Sequence, residues 1–94
     1  MSSYSIVKPS DVKGAKSVGL KAFTVPFGEE TKTVVEPMQV VTLEDQVIGL
    51  VSPSGLGQRA EALDCSCSAY SSDPVELLAS FSYRHQLVRA REAS

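Results

Sequence analysis

Four side chains of this sequence could act together as soft metal ligands or as a nucleophile with its base: Asp64, Cys65, Cys67 and His85. Zinc takes four ligands, and structural sites usually leave two to four residues between paired cysteines. Here a single residue separates Cys65 from Cys67, and on an extended strand Asp64 points away from both. No metal site is therefore expected. A disulfide between the two cysteines would lie at the outer limit of allowed Cα separation and would be strained. A Cys67–His85 dyad would need a helix to pack over the cysteines, and that burial would raise the thiol pKa and leave it inert. Ser82 stands three residues before His85, within reach of a shared hydrogen bond on a helix. No carboxylate lies within one turn to orient the imidazole, and no oxyanion site is evident. The chain is expected not to be an enzyme, and no cofactor is expected.

Gly55-Leu56-Gly57-Gln58-Arg59-Ala60 has the spacing of a dinucleotide-binding turn. Its physics would be a tight turn that aims backbone N–H groups at a pyrophosphate. Too few residues separate it from the next strand for a crossover helix, so it reads as a hairpin loop. Lys8, Lys13, Lys16, Lys21 and Lys32 crowd the N-terminal third, interleaved with Tyr4, Phe23 and Phe27. Such residues could track phosphates and stack bases of a single strand. A pI near 5.3 removes the global basic field of most nucleic-acid binders.

These residues must be positioned by strands and one helix. β-formers fill Ser17 to Phe27, with a parity switch between Leu20 and Phe23 that suggests a bulge or a piece buried on both faces. Gly28-Glu29-Glu30 reads as a three-residue hairpin connection, and the run Thr31 to Leu43 is interrupted by Pro37. Pro26 and Pro37 each remove a ladder donor, so their strands should be edges or broken there. Glu44-Asp45-Gln46 is a polar turn before Val47-Ile48-Gly49-Leu50-Val51, and Pro53 to Gly57 is a loop. From Leu63 to Tyr70 apolar and polar residues alternate, which predicts a strand with one buried face. Asp73 as N-cap, Pro74 at the first helical position and Glu76 completing a capping box predict a helix over about 74–91. Its apolar face is Leu77, Leu78, Phe81, His85 and Val88.

The expected fold is one α+β domain over residues 1–94, strand-rich over 1–71. It is an antiparallel β-meander of about five strands, a small sheet or barrel, with one C-terminal α-helix. The expected core includes Val18, Leu20, Val25, Val35, Val41, Ile48, Leu50, Leu63, Cys65, Cys67, Leu77, Leu78, Phe81 and Val88.

The apolar fraction of 43% and net charge of -2 exclude a disordered tail, and the length excludes a multidomain enzyme. No basic segment followed by an apolar run opens the chain, so no secretory leader is expected. No apolar stretch is long enough for a spanning helix, and no membrane partner is expected. Two cysteines are too few for a disulfide framework, which predicts a cytoplasmic protein or one held in a virus particle.

Charge is segregated. Five lysines against Asp11, Glu29 and Glu30 make residues 1–35 basic; Arg59 alone against seven acids makes residues 36–80 acidic; three arginines against Glu92 make 81–94 basic. Strand edges and an apolar helix face in so short a chain call for partners. The strand-then-capped-helix order from Leu63 to Ala90, after a run of hairpins, resembles that of coat proteins of small RNA phages, through element order without a shared residue motif. That resemblance implies a structural role in viral assembly. The expectation is a non-catalytic structural or interaction subunit acting as a homo-oligomer, or bound to another protein. Its interface would hold Leu77, Phe81, His85 and Val88. The alternative is a small β-domain binding single-stranded nucleic acid through Lys8, Lys13, Lys16, Lys21 and Lys32.

Overall fold

The computed structural model describes residues 3–93; Met1 and Ser2, which begin the segment read above for a leader, and Ser94 lie outside them. The strands are β1 (Tyr4–Val7), β2 (Lys16–Gly19), β3 (Ala22–Phe27), β4 (Glu30–Val35), β5 (Gln39–Leu43), β6 (Gln46–Ser54), β7 (Gly57–Ala62) and β8 (Ser68–Ser71). They are followed by the helix α1 (Pro74–Ala93). A short 3-10 turn, Pro9–Asp11, follows β1. The fold is α+β: a five-stranded antiparallel sheet in the order β1-β5-β6-β7-β8, with a single C-terminal helix. Strands β2, β3 and β4 form a second, three-stranded antiparallel sheet rather than extending the first.

Alternation along β5 explains how the layers stack. Val41 faces the helix and packs with Val51, Ala60, Leu77 and Phe81, while Val40 faces the small sheet and packs with Val12, Val25, Val34 and Val47. Both valines are fully buried. The large sheet therefore carries the helix on one face and the small sheet on the other. The small sheet leaves Arg59, Glu61 and Tyr70 of β7 and β8 exposed, with Arg59 and Glu61 paired at 3.2 Å.

Turn chemistry sets the hairpins. The β3–β4 turn is the two residues Gly28-Glu29 rather than the expected three, because Glu30 already pairs with Phe27. Gly28 there and Gly55 in the β6–β7 turn hold the positive φ of the first central residue, which glycine fills without a Cβ clash. Glu44 and Asp45 both adopt positive φ in the β5–β6 turn. Pro26 lies past the last β2 partner on β3, and Pro53 lies past the last β5 partner on β6, so neither interrupts a ladder on two sides. The run Thr31 to Leu43 is broken at the cis Glu36–Pro37 bond, and its halves lie in different sheets.

The helix begins at Pro74 as expected. Val75 N–H donates to Asp73 Oδ1 at 3.0 Å, and Leu77 N–H donates to the Asp73 carbonyl at 2.8 Å.

Three expectations are corrected. Ser17 to Phe27 is not one bulged strand but the β2–β3 hairpin, turning at Leu20-Lys21, with the bulge displaced to Ser17–Gly19. Val18, Leu20 and Val35 leave the expected core: Leu20 sits at that turn, and Val35 lies on the outward face because its neighbour Val34 takes the inward one. The strand expected from Leu63 to Tyr70 is a loop at 63–67 flanked by β7 and β8. There Asp64 Oδ1 accepts the Ser66 N–H at 3.0 Å, and Cys65 turns to φ 62, which exposes it.

Candidate functional site

The helix crosses the large sheet and brings His85 to β1. Tyr4 Oη and His85 Nδ1 are 2.8 Å apart, the two rings meet edge-on, and His85 stacks on Phe81 at a centroid distance of 5.9 Å. Burial pushes the His85 pKa below its usual value, and Arg89 adds to this, while Asp64 and Glu92 oppose it. The Ser82 hydroxyl donates to the Ala79 carbonyl at 3.0 Å, a bond inside its own helix. His85 therefore braces α1 against β1.

Cys67 is half-buried beside the helix-side core, and burial pushes its thiol pKa up, the direction opposite to activation. Asp64 is held below the usual carboxylate range by the Ser66 hydroxyl and backbone N–H. Among the described residues, no group of three or more His, Cys, Asp or Glu side chains could hold a metal ion. Gly55 and Leu56 form the β6–β7 turn, and Gly57 opens β7 with its Cα packed against the Ser71 carbonyl; no helix follows to receive a phosphate.

The expected lysines are all exposed. Lys8 precedes the 3-10 turn, Lys13 lies in the following loop, Lys16 opens β2, Lys21 lies in the β2–β3 turn and Lys32 is on β4. Tyr4 is on the helix side of the large sheet, away from the lysines, while Phe23 and Phe27 share the face of the small sheet on which Lys32 stands opposite Val25.

The four helix residues expected at an interface are placed as follows. Leu77 and Phe81 are fully buried against the chain's own sheet, and His85 and Val88 are half-buried on the same side. A contact through Leu77 or Phe81 would need α1 to leave that sheet. On the helix's other side Val75, Tyr83 and Leu87 are exposed. Elsewhere Val18, Leu20, Val35, Leu56 and Tyr70 are also exposed. Val18, Leu20 and Val35, expected in the core, are therefore surface residues, and the parity switch after Leu20 is the sequence signal that marks the change of face.

Two of the recesses among the described residues bear on the candidate chemistry. One of about 410 Å³ lies between the β3–β4 and β5–β6 turns, lined by Pro26, Phe27, Asp45, Gln46, Val47 and Ile48. It offers a single carboxylate, too few convergent polar groups for acid–base chemistry. The other, beside Cys67 and Arg84, is bounded by Leu87 and Val88; there Arg84 donates to the Ser68 carbonyl at 2.9 Å across the free edge of β8. Comparison with family models, with curated proteins and with solved structures finds no match for this chain. No helix among the described residues is long and apolar enough to cross a membrane.

Proposed function

We propose that this chain is a non-catalytic structural or interaction subunit that assembles with copies of itself through strand edges and the outer side of α1. The observation that carries this reading is the number of large apolar side chains left in water by so small a domain. Val18, Leu20, Leu56 and Val75 are each more than half exposed while the core is filled largely by valines and alanines. Clustered exposed apolar side chains mark a contact site, and the row Gly19–Ala22–Val35 sets Val35 at the end of the small sheet that carries Val18 and Leu20. Both sheets also have open edges, β1 and β8 in one and β2 and β4 in the other. A virus particle or other large assembly is the setting this reading favours.

Size-exclusion chromatography with light scattering and ultraviolet detection tests it. The chain has no Trp and three Tyr, so bound nucleic acid would dominate its absorbance. A discrete multimer of clean protein is expected. A 10.0 kDa monomer at every concentration would sink the reading.

The five exposed lysines support a second reading, binding of single-stranded nucleic acid. Reversing Lys13, Lys16 and Lys21 to Glu would then weaken binding and flatten its salt dependence. No change in affinity would remove it.

A further inference from the structure

We propose that the copies join by unlike surfaces, the β2–β3 hairpin of one chain meeting the β6–β7 turn and the first turn of α1 of the next. This rests on the self-assembly reading above and names its contact.

The first surface is aliphatic, with a rim of two lysines against the one carboxylate of Glu36. Leu20 is 93% exposed at the hairpin tip and Val18 58% exposed on β2. The row Gly19–Ala22–Val35 across the three strands brings Val35 to the same end, where Glu36 N–H also donates to the Lys21 carbonyl. Lys16 and Lys21 flank it. The turn itself is informative. Lys21 has φ 59, a conformation that favours glycine or asparagine, yet the two turn positions hold leucine and lysine. A local rule broken at an exposed site is where a functional demand is expected.

The second surface is aliphatic with an acidic rim. Leu56 is 100% exposed and Val75 77% exposed. They lie at one end of the large sheet, because Gln58, two residues beyond Leu56, pairs with Ser71, and the helix starts at Pro74. Asp73 and Glu76 bracket Val75 in the chain.

Pairing either surface with itself would bring like charges together. Pairing one with the other brings lysines to carboxylates around a shared apolar centre, which lowers the energy of this register against the alternatives. Such a contact is heterologous, so each copy keeps one unused surface and growth continues until the ring closes or a filament forms.

Complementation tests this. Leu20→Asp disables the first surface and Leu56→Asp the second, both at exposed turn positions, with circular dichroism checking the fold. Each variant alone is expected to sediment as a monomer, and an equimolar mixture as a 1:1 pair that grows no further. Lys21→Glu should weaken the wild-type assembly, and mixing Lys21→Glu/Leu56→Asp with Glu76→Lys/Leu20→Asp should recover the pair. If the wild type is multimeric while either leucine variant keeps the wild-type mass, or the mixture does not pair, this contact is overturned and self-assembly stands. A monomeric wild type overturns both. Should a leucine variant unfold, the charge variants in the otherwise wild-type chain decide: an unchanged wild-type mass for both Lys21→Glu and Glu76→Lys overturns the contact.

Discussion

The Tyr4 hydroxyl and the Nδ1 of His85 meet at 2.8 Å across 81 residues of chain, joining the first strand of the large sheet to the helix that covers it. With neutral imidazole the bond forms in either direction, from the phenol to a bare Nδ1 or from Nδ1–H to the phenol oxygen. Only the second survives protonation.

His85 consequently makes stability depend on pH. Its folded pKa lies below its usual value, so in the interval between the folded and unfolded values the unfolded chain binds more protons. The contribution is fully present above the unfolded value near 6.5 and is lost as pH falls towards the folded value. Urea midpoints measured from pH 7 to pH 5 should fall, and His85→Gln should flatten that slope. Tyr4→Phe removes one part-exposed hydrogen bond and should cost about 1 kcal/mol at pH 7.

Gly49 lies under the helix. A Cβ there would stand 2.8 Å from the Glu61 carbonyl oxygen and 3.1 Å from Phe81 Cζ. Gly49→Ala should destabilise by about 1–3 kcal/mol through overpacking. Phe81→Ala, at a fully buried position, should cost about 3–5 kcal/mol, a large share of what a domain of this size has to lose. Chemical denaturation of both variants checks the order of the two effects.

The helix cap gives a smaller and cleaner number. Asp73→Ala deletes the acceptor of the Val75 N–H and should cost about 1 kcal/mol, while Asp73→Asn should keep most of the cap. Thermal denaturation of the pair separates the hydrogen bond from the charge.

The two cysteines should differ in reactivity. Cys65 is exposed, whereas Cys67 is half-buried with its pKa pushed up by that burial. Brief treatment with iodoacetamide should label Cys65 first, as read by peptide mass spectrometry. Equal labelling would show that the 63–67 loop opens readily.

The helix and most turns were legible because each has a local cause: Asp73-Pro74 starts α1, and Gly28 and Gly55 permit positive φ. The 63–67 loop was not, because Cys65, Ser66, Cys67 and Ser68 alternate in polarity without β-branched or aromatic side chains to hold a strand. The Asp64–Ser66 turn then wins over the ladder. Leu20-Lys21 was hidden for the opposite reason: a turn built without glycine, asparagine or proline leaves no compositional mark. The apolar surfaces shared that fate. An aliphatic residue on a strand looks alike facing core or water until its partner strands are known.

The back-to-back valines of β5 carry one more implication. Val40 and Val41 face opposite layers, so sliding β5 by one residue would simply exchange them and leave both interiors with a valine. Discrimination falls to the next pair, where the slip would turn Thr42 to the side that Leu43 shares with Tyr4. Gly49, opposite Val41, constrains its own strand β6 instead, since a Cβ there would crowd Glu61 and Phe81. The alignment of this interior strand is thus decided at its periphery, by a threonine and a leucine.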